Sequence, residues 1–348
     1  MTDHAETNQP TKIEEHSMSK LKIGVLGAAR ISEKSLAGPA NRGGHRLVVV
    51  AARDRGRAQA FADRHGVERV ADSYADVIAD PEVDLVYNPL ANGLHAPWNI
   101  KALRAGKAVL SEKPFAANAD EARRVADVVR ETGGTIMEAF HYATHPVMLR
   151  LQEIVASGEI GALRHIESTM IIPAPADDDP RWSLKLAGGA LMDLGCYSLH
   201  AIRTLSHGGE PVVRSARGVE RPGHPGVDEW IQAELELPGG ATASVFTSMA
   251  GPDVVMTLTA IGSTGRVDAM NFVLPHEDDR VRVVTADGDR TESMGTRSSY
   301  DYQLDAVAAA VLGGAALPLD VDDAVATMEL VDATYLAAGF PVRPSSVD

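Results

Sequence analysis

One cysteine, Cys196, stands in a chain of 348 residues. That excludes an intrachain disulfide and a metal centre built on clustered thiolates. Basic residues are few: 33 Lys and Arg stand against 48 Asp and Glu, a formal net charge of −15. An acidic surface repels phosphate backbones, which argues against general nucleic-acid binding. No apolar run approaches the ~20 residues that span a bilayer, so no membrane association is expected. The first 20 residues lack the apolar core of a signal peptide, and a cytoplasmic location is expected. What is present is ordinary for a folded chain: 45% hydrophobic and 23% charged residues. At about 150 residues per domain the length suggests two domains.

Residues 1–20 are polar and read as a disordered, dispensable tail. From Leu21 short apolar runs alternate with helical periodicity. Strands are predicted at Leu21–Leu26, Leu47–Ala52, Asp84–Asn88, Ala108–Ser111 and Thr135–Ala139. Continuous apolar runs of this length suit strands buried on both faces of a parallel sheet. Ser73-x-x-Asp76 resembles a capping pair, and a helix over Ala119–Thr132 stops at Gly133-Gly134. The alternation predicts a doubly wound α/β domain over 21–142. Beyond it the rhythm changes. A helix near Val147–Ser157 precedes Gly158. Ile231, Ala233, Leu235 and Leu237 alternate with polar residues, a half-solvated strand that turns at Pro238-Gly239-Gly240 into Thr242–Ser248. A second hairpin joins Val254–Ile261 to Arg266–Asp268. Residues 143–348 thus read as an α+β domain with an open-faced, mostly antiparallel sheet. One helix over Gly189–Leu205 lies against it, and helices near Tyr300–Leu312 and Val321–Ala338 close the chain.

The first strand runs into Gly27-Ala28-Ala29-Arg30-Ile31-Ser32. A dinucleotide site needs a tight turn, close backbone approach to the pyrophosphate and unpaired N–H groups at a helix start. Gly27 supplies the turn; Ala29 and Ser32 fall where further glycines would stand, and both are small. The end of the second strand selects the cofactor. Arg53 is placed to take the 2′-phosphate of NADP, while Asp54 keeps NAD open. NADP(H) is slightly favoured.

Two more segments carry chemistry. Ala108–Ser111 ends in Glu112-Lys113-Pro114, which puts a lysine at the carboxyl edge of the sheet, where ligands bind in this fold. In Gly188-Gly189-Ala190-Leu191-Met192-Asp193-Leu194-Gly195-Cys196-Tyr197-Ser198-Leu199-His200, residues Asp193, Tyr197 and His200 share one helical face. Those side chains are costly to bury without a purpose.

Together with Val86-Tyr87-Asn88-Pro89-Leu90 through His95 and with Gly262-Ser263-Thr264-Gly265-Arg266, these segments resemble the Gfo/Idh/MocA oxidoreductases. The resemblance implies an N-terminal Rossmann domain and a C-terminal open-faced sheet. It implies that Lys113 meets the reacting hydroxyl or carbonyl and the nicotinamide ribose, and that Asp193 precedes the catalytic group. Where the family often has histidine this chain has Tyr197, which resembles the dihydrodiol and xylose dehydrogenase branch. Asn88, Pro89, Leu90, Asn92, His95 and Glu112 are expected along the cofactor groove, and Tyr142, Trp182 and His200 around the substrate. The implied reaction is hydride transfer between nicotinamide and a sugar, cyclitol or diol carbon. Tyr197 would move the proton, its pKa lowered by Lys113. The alternatives are a reductase of an activated or amino sugar and a non-catalytic dinucleotide sensor. The uncovered sheet face predicts a homodimer or homotetramer. Glu138, His141 and His145 have a spacing that would converge on one helix, but a strand should end near Ala139, so no metal is expected.

Overall fold

The computed structural model describes residues 20–206 and 208–346. Except for Lys20, the expected tail lies outside them. The N-terminal half is a parallel sheet of β1 (Lys22–Leu26), β2 (Arg46–Ala51), β3 (Arg69–Val70), β4 (Leu85–Asn88), β5 (Ala108–Ser111) and β6 (Ile136–Glu138), ordered β3-β2-β1-β4-β5-β6. The order reverses between β1 and β4, and a crevice opens there at the strands' carboxyl ends. Helices α1 (Gly38–Gly43), α2 (Arg55–His65), α3 (Tyr74–Ala79), α4 (His95–Arg104) and α5 (Ala119–Thr132) connect the strands. Side-chain caps start three of them: Asp54 for α2, Ser73 for α3 and Asn118 for α5. The predicted pair at Ser73 and Asp76 is therefore a real helix start.

After α6 (Pro146–Ser157) come β7 (Leu163–Ile171) and α7 (Cys196–Ser206), then β8 (Val212–Glu220), β9 (Asp228–Glu236), β10 (Thr242–Ser248), β11 (Val255–Gly262), β12 (Gly265–Ala269), β13 (Arg280–Thr285) and β14 (Gly288–Ser293). They form one eight-stranded sheet, ordered β14-β13-β12-β11-β7-β10-β9-β8, antiparallel except for β10 beside β7. Alternate residues such as Ile166, Met170, Ile231, Ala233, Leu235, Ala243 and Val245 are buried on the α7 side. The other face is mixed. Glu167, Gln232, Glu234 and Ser244 alternate there with Trp230 and Phe246, whose rings lie 6.0 Å apart.

Helices α8 (Ser299–Gly313) and α9 (Val321–Ala337) return to the first sheet. Arg42 grips Asp301, Asp332 accepts from the Ala119 amide, and Arg123 pairs with Glu329. The chain then runs through Arg343, whose guanidinium is fully buried against Asp228.

The helix expected over Gly189–Leu205 is broken. Leu191–Gly195 is a π-helical turn, and the α-helix begins only at Cys196. The reason is close packing on β10. A Cβ at Gly195 would come 2.5 Å from Leu191 Cδ1 and 3.2 Å from the Thr247 methyl, and the Thr247 hydroxyl donates to the Ala190 carbonyl at 3.1 Å. Side chains entering a helix ladder in this way produce π-bulges, which recur at functional sites.

Candidate active site

The turn after β1 has the features a dinucleotide requires. Gly27 has φ +95°, the left-handed region where glycine is at home, and its amide reaches the Ala51 carbonyl. The backbone amides of Ala28, Ala29, Arg30 and Ile31 make no hydrogen bond among the described residues. Ser32, at the third small position, is wholly buried, and its hydroxyl has no partner among the described residues. Around the adenosine end Asp54 is spent as a helix cap on the Arg57 amide, Arg55 pairs with Asp72, and Arg57 reaches the Ala28 carbonyl. Of the three arginines Arg53, Arg55 and Arg57, only Arg53 has neither an ion pair nor a side-chain hydrogen bond among the described residues. An NADP-type dinucleotide fits this donor set.

The groove residues divide. Leu90 and Glu112 lie at the crevice, but Asn88 and His95 are inside. Asn88 Nδ2 donates to the His95 carbonyl and to Asn99 Oδ1. His95 has carbonyl oxygens against both ring nitrogens, Pro114 at 2.7 Å and Leu90 at 2.8 Å. Burial lowers its pKa, although both contacts favour the protonated ring. We take the ring as neutral, donating to one carbonyl, because it is fully desolvated. These two residues shape the groove from behind. Asn92 donates to the Ala187 carbonyl at 2.9 Å and joins the groove to the second half of the chain.

At the end of β5, Ser35, Tyr87 and Glu112 form a buried chain, 2.6 Å at each link. Next to it Lys113 Nζ donates to the Asp193 carbonyl at 2.8 Å and to Asp193 Oδ1 at 2.9 Å. Arg181 Nε lies 3.2 Å from the other carboxylate oxygen. Burial would lower the Lys113 pKa, but Asp193 more than offsets it and the ammonium is held charged. Burial likewise opposes the Asp193 charge, and Lys113 and Arg181 together bring its pKa below the usual value. Arg181, two residues after Asp177-Asp178-Asp179, thus joins the site.

Tyr197 departs from expectation. Its ring lies under Lys113, with Nζ 5.1 Å from the centroid, but the ammonium's hydrogen bonds go to Asp193. Burial drives the phenol well above its ordinary pKa, and Tyr300, Glu112 and Asp193 push the same way. The expected lowering by Lys113 does not occur, and Tyr197 is a neutral phenol.

Tyr142, Trp182 and His200 also sit differently from the expected substrate contacts. Tyr142 and His200 are fully buried and bonded to each other at 2.5 Å, and His200 Nε2 faces Asp323 at 3.1 Å. Arg203 holds the other Asp323 oxygen, and together they bring that carboxyl to about 2 against the opposing effect of burial. Trp182 is buried with its Nε1 on the Pro175 carbonyl and Arg221 over its ring. These residues brace the site from within. His141 and Tyr300, their tilted rings 3.9 Å apart, lie beside Tyr197; from the sequence alone His141 is weighed only as a metal ligand and Tyr300 has no role in the site. Glu138, His141 and His145 fall on a strand end, a 3₁₀ turn and the cap of α6, and no group of three such ligands capable of holding a metal occurs among the described residues.

Comparison with known proteins agrees with this architecture. The GFO/IDH/MocA oxidoreductase family, NAD-binding Rossmann fold, matches residues 21–140, and the GFO/IDH/MocA C-terminal domain matches 148–268. The chain belongs to this family and is an NAD(P)-dependent oxidoreductase acting on CH–OH groups. It is similar to a D-xylose 1-dehydrogenase (NADP(+)) of Haloferax volcanii, 36% identical over 91% of this chain and 97% of the relative. It is also similar to the trans-1,2-dihydrobenzene-1,2-diol dehydrogenase of Mus musculus, 32% identical over 74% of each chain. The crystal structure of a 3-ketoreductase from Actinomadura kijaniata with NADP and TDP-benzene superposes with a TM-score of 0.85, at 28% identity over 92% of this chain and 98% of that one. The cofactor expected from the sequence, NADP(H) ahead of NAD(H), agrees with these relatives.

Proposed function

We propose that this enzyme reversibly oxidises a secondary hydroxyl or hemiacetal carbon of a sugar, cyclitol or diol, with Tyr197 as the proton-moving group and Lys113 as its electrostatic partner. One observation carries the reading. Two of the three Lys113 N–H donors are fixed on Asp193, which leaves one for a substrate oxygen between Lys113 and Tyr197. Gly27 to Ile31 and Arg53 would hold the dinucleotide. When bound, the cofactor gives or takes the hydride. Lys113 stabilises the oxygen as its charge develops. Tyr197, already protonated, is suited to give a proton to a carbonyl oxygen; in oxidation it must part with its own. A homo-oligomer formed through the mixed sheet face and a cytoplasmic location complete the reading. Among the described residues no helix is long and apolar enough to cross a membrane.

A nucleotide-activated keto-sugar is the second substrate reading, and the likeness to the TDP-benzene-bound ketoreductase supports it. A dinucleotide sensor is disfavoured by the intact grouping of Lys113, Asp193 and Tyr197. The deciding experiment follows nicotinamide absorbance with NADP+ or NAD+ and a panel of D-xylose, other aldoses, inositols and trans-dihydrodiols, and with NADPH and a TDP-3-keto-sugar. Turnover of a free sugar or diol is expected. Turnover of the TDP-sugar alone selects the second reading. Cofactor binding with no turnover by any panel member overturns both in favour of the sensor.

A further inference from the structure

The Tyr197 phenol poses a problem that the residues around it answer. A neutral tyrosine can accept a substrate proton only while it gives its own away, and neither Lys113 nor Asp193 is free to take it. Lys113 is a charged donor. The two oxygens of Asp193 face Lys113 and Arg181.

Behind Tyr197 lies a second set of groups. The His141 ring is edge-on to the Tyr197 ring, with centroids 6.2 Å apart. The side chain is 2% exposed, and its Nε2 has no hydrogen-bond partner among the described residues. Its Nδ1 lies 2.8 Å from the Ser299 hydroxyl. That hydroxyl, wholly buried, lies 3.2 Å from His276 Nδ1. His276 is only half-buried and borders a hollow of about 610 Å³ that also meets Lys34, Arg42 and Tyr300. One hydroxyl therefore joins two imidazoles. One imidazole, its ring beside that of Tyr197, has an unpartnered Nε2 among the described residues, and the other borders the hollow.

We propose that His141, Ser299 and His276 form a proton path between Tyr197 and the solvent-filled hollow. The inference rests on Tyr197 being the proton-moving group. In oxidation Tyr197 takes the substrate hydroxyl proton as its own phenolic proton passes, through one water, to His141 Nε2. His141 Nδ1 releases a proton to Ser299 Oγ, the Ser299 proton moves to His276 Nδ1, and His276 Nε2 releases a proton to the hollow. One proton enters and one leaves. No group keeps an added charge, and both rings finish as the opposite tautomer, to be restored by exchange at the two ends. Carbonyl reduction runs the same steps backwards. Burial, with His276, Lys113 and His145 nearby, holds His141 well below the ordinary imidazole pKa. It therefore hands a proton on and does not store it, as a relay group should.

Geometry imposes a strict condition. A single hydroxyl conducts only if it accepts from one ring and donates to the other, so one of His141 and His276 carries its proton on Nδ1 and the other on Nε2. Nitrogen-correlated ring spectra of the NADP+-loaded protein read this without turnover. One tautomer of each kind is expected; two rings of the same tautomer would overturn the path.

Kinetics supply the second arm, on the fastest panel substrate. His276→Ala alters a half-exposed position where folding is not at stake. It should lower kcat for oxidation about 10-fold, raise the solvent isotope effect, leave KM unchanged, and recover with added imidazole. Ser299→Ala should do the same without recovery. Wild-type kcat and isotope effect in both variants would overturn the path, as would a loss of kcat in His276→Ala with no change in isotope effect and no imidazole recovery. The control is Tyr197→Phe. If that variant stays fully active, the proposed role of Tyr197 has failed. If it is inactive while His276→Ala and Ser299→Ala are normal, only the path has failed.

Discussion

Lys113 and Tyr197 face each other without a hydrogen bond. The ammonium stands 5.1 Å above the ring while its donors go to Asp193. In the proposed reaction this arrangement divides the work: the lysine would hold charge over the reacting oxygen, and the tyrosine would keep its proton until the chemistry calls for it.

Replacing either partner should be costly in different ways. Tyr197→Phe is expected to cut kcat by about 10²-fold or more with little change in dinucleotide affinity. Lys113→Met should cut kcat at least as far and weaken cofactor binding as well. Because the phenol titrates well above its ordinary value, carbonyl reduction should show no tyrosine-dependent loss between about pH 6 and 9. Stopped-flow hydride transfer across that range checks it; a rate that falls as pH rises through neutrality would mean a lowered phenol pKa.

Arg53 should decide between the two dinucleotides. Asp54, Arg55 and Arg57 are already committed, so Arg53 is the cation left for a 2′-phosphate. Arg53→Ala should weaken NADPH binding by about 10-fold or more, since a charged hydrogen bond is worth roughly 1.5–3 kcal/mol, while NADH binding stays the same. Fluorescence titration with both cofactors gives the answer, and equal losses for the two would remove the assignment.

Asp228 and Arg343 test the internal scaffold. Asp228 accepts from the Leu191 amide at 2.7 Å and from the Tyr335 hydroxyl at 2.9 Å, and Arg343 also donates to the Gly188 carbonyl at 2.7 Å. Removing one member strands a buried charge, so Arg343→Met should cost about 3–5 kcal/mol in urea unfolding. Pairing it with Asp228→Asn should recover part of that loss. Additive losses in the double variant would show that the pair is not coupled.

Asp332 should make stability depend on pH. Burial lifts its carboxyl to about 6, only partly opposed by the Ala119 amide. A carboxyl raised on folding favours the native state fully below its unfolded value near 3.8, and that contribution is lost as pH rises through about 6. Asp332→Asn should therefore gain on the parent between about pH 4 and 7. Thermal unfolding at both ends of that window reads the difference; a constant difference would mean that Asp332 titrates normally.

The two halves of the fold were unequally legible. Strands β1, β2, β4, β5 and β6 are buried on both faces and appear as apolar runs. Arg69–Val70 offers one exposed and one half-buried residue and no such signal. In the second sheet β9 and β10 alternate cleanly. By contrast, β8 is mostly exposed along its length and β14 carries Gly288-Asp289-Arg290-Thr291-Glu292-Ser293, so neither shows an apolar period. Lys113, Asp193 and Tyr197 were found because local motifs hold them. His141, Ser299 and Tyr300 come together only when α8 returns to the first sheet, and no local spacing encodes that return. The Tyr197 pKa was misjudged for a similar reason: adjacency to Lys113 could be read, but the prior claim of Asp193 on that ammonium could not.

The buried Arg343 has a consequence for how the protein is made. The segment leading into α7 is tied through Asp228 to a residue far downstream. A chain still on the ribosome can assemble its first sheet early, because β1 to β6 are contiguous. It cannot lock Leu191–Gly195 until residue 343 has cleared the exit tunnel. Dinucleotide binding should therefore precede catalytic competence during synthesis.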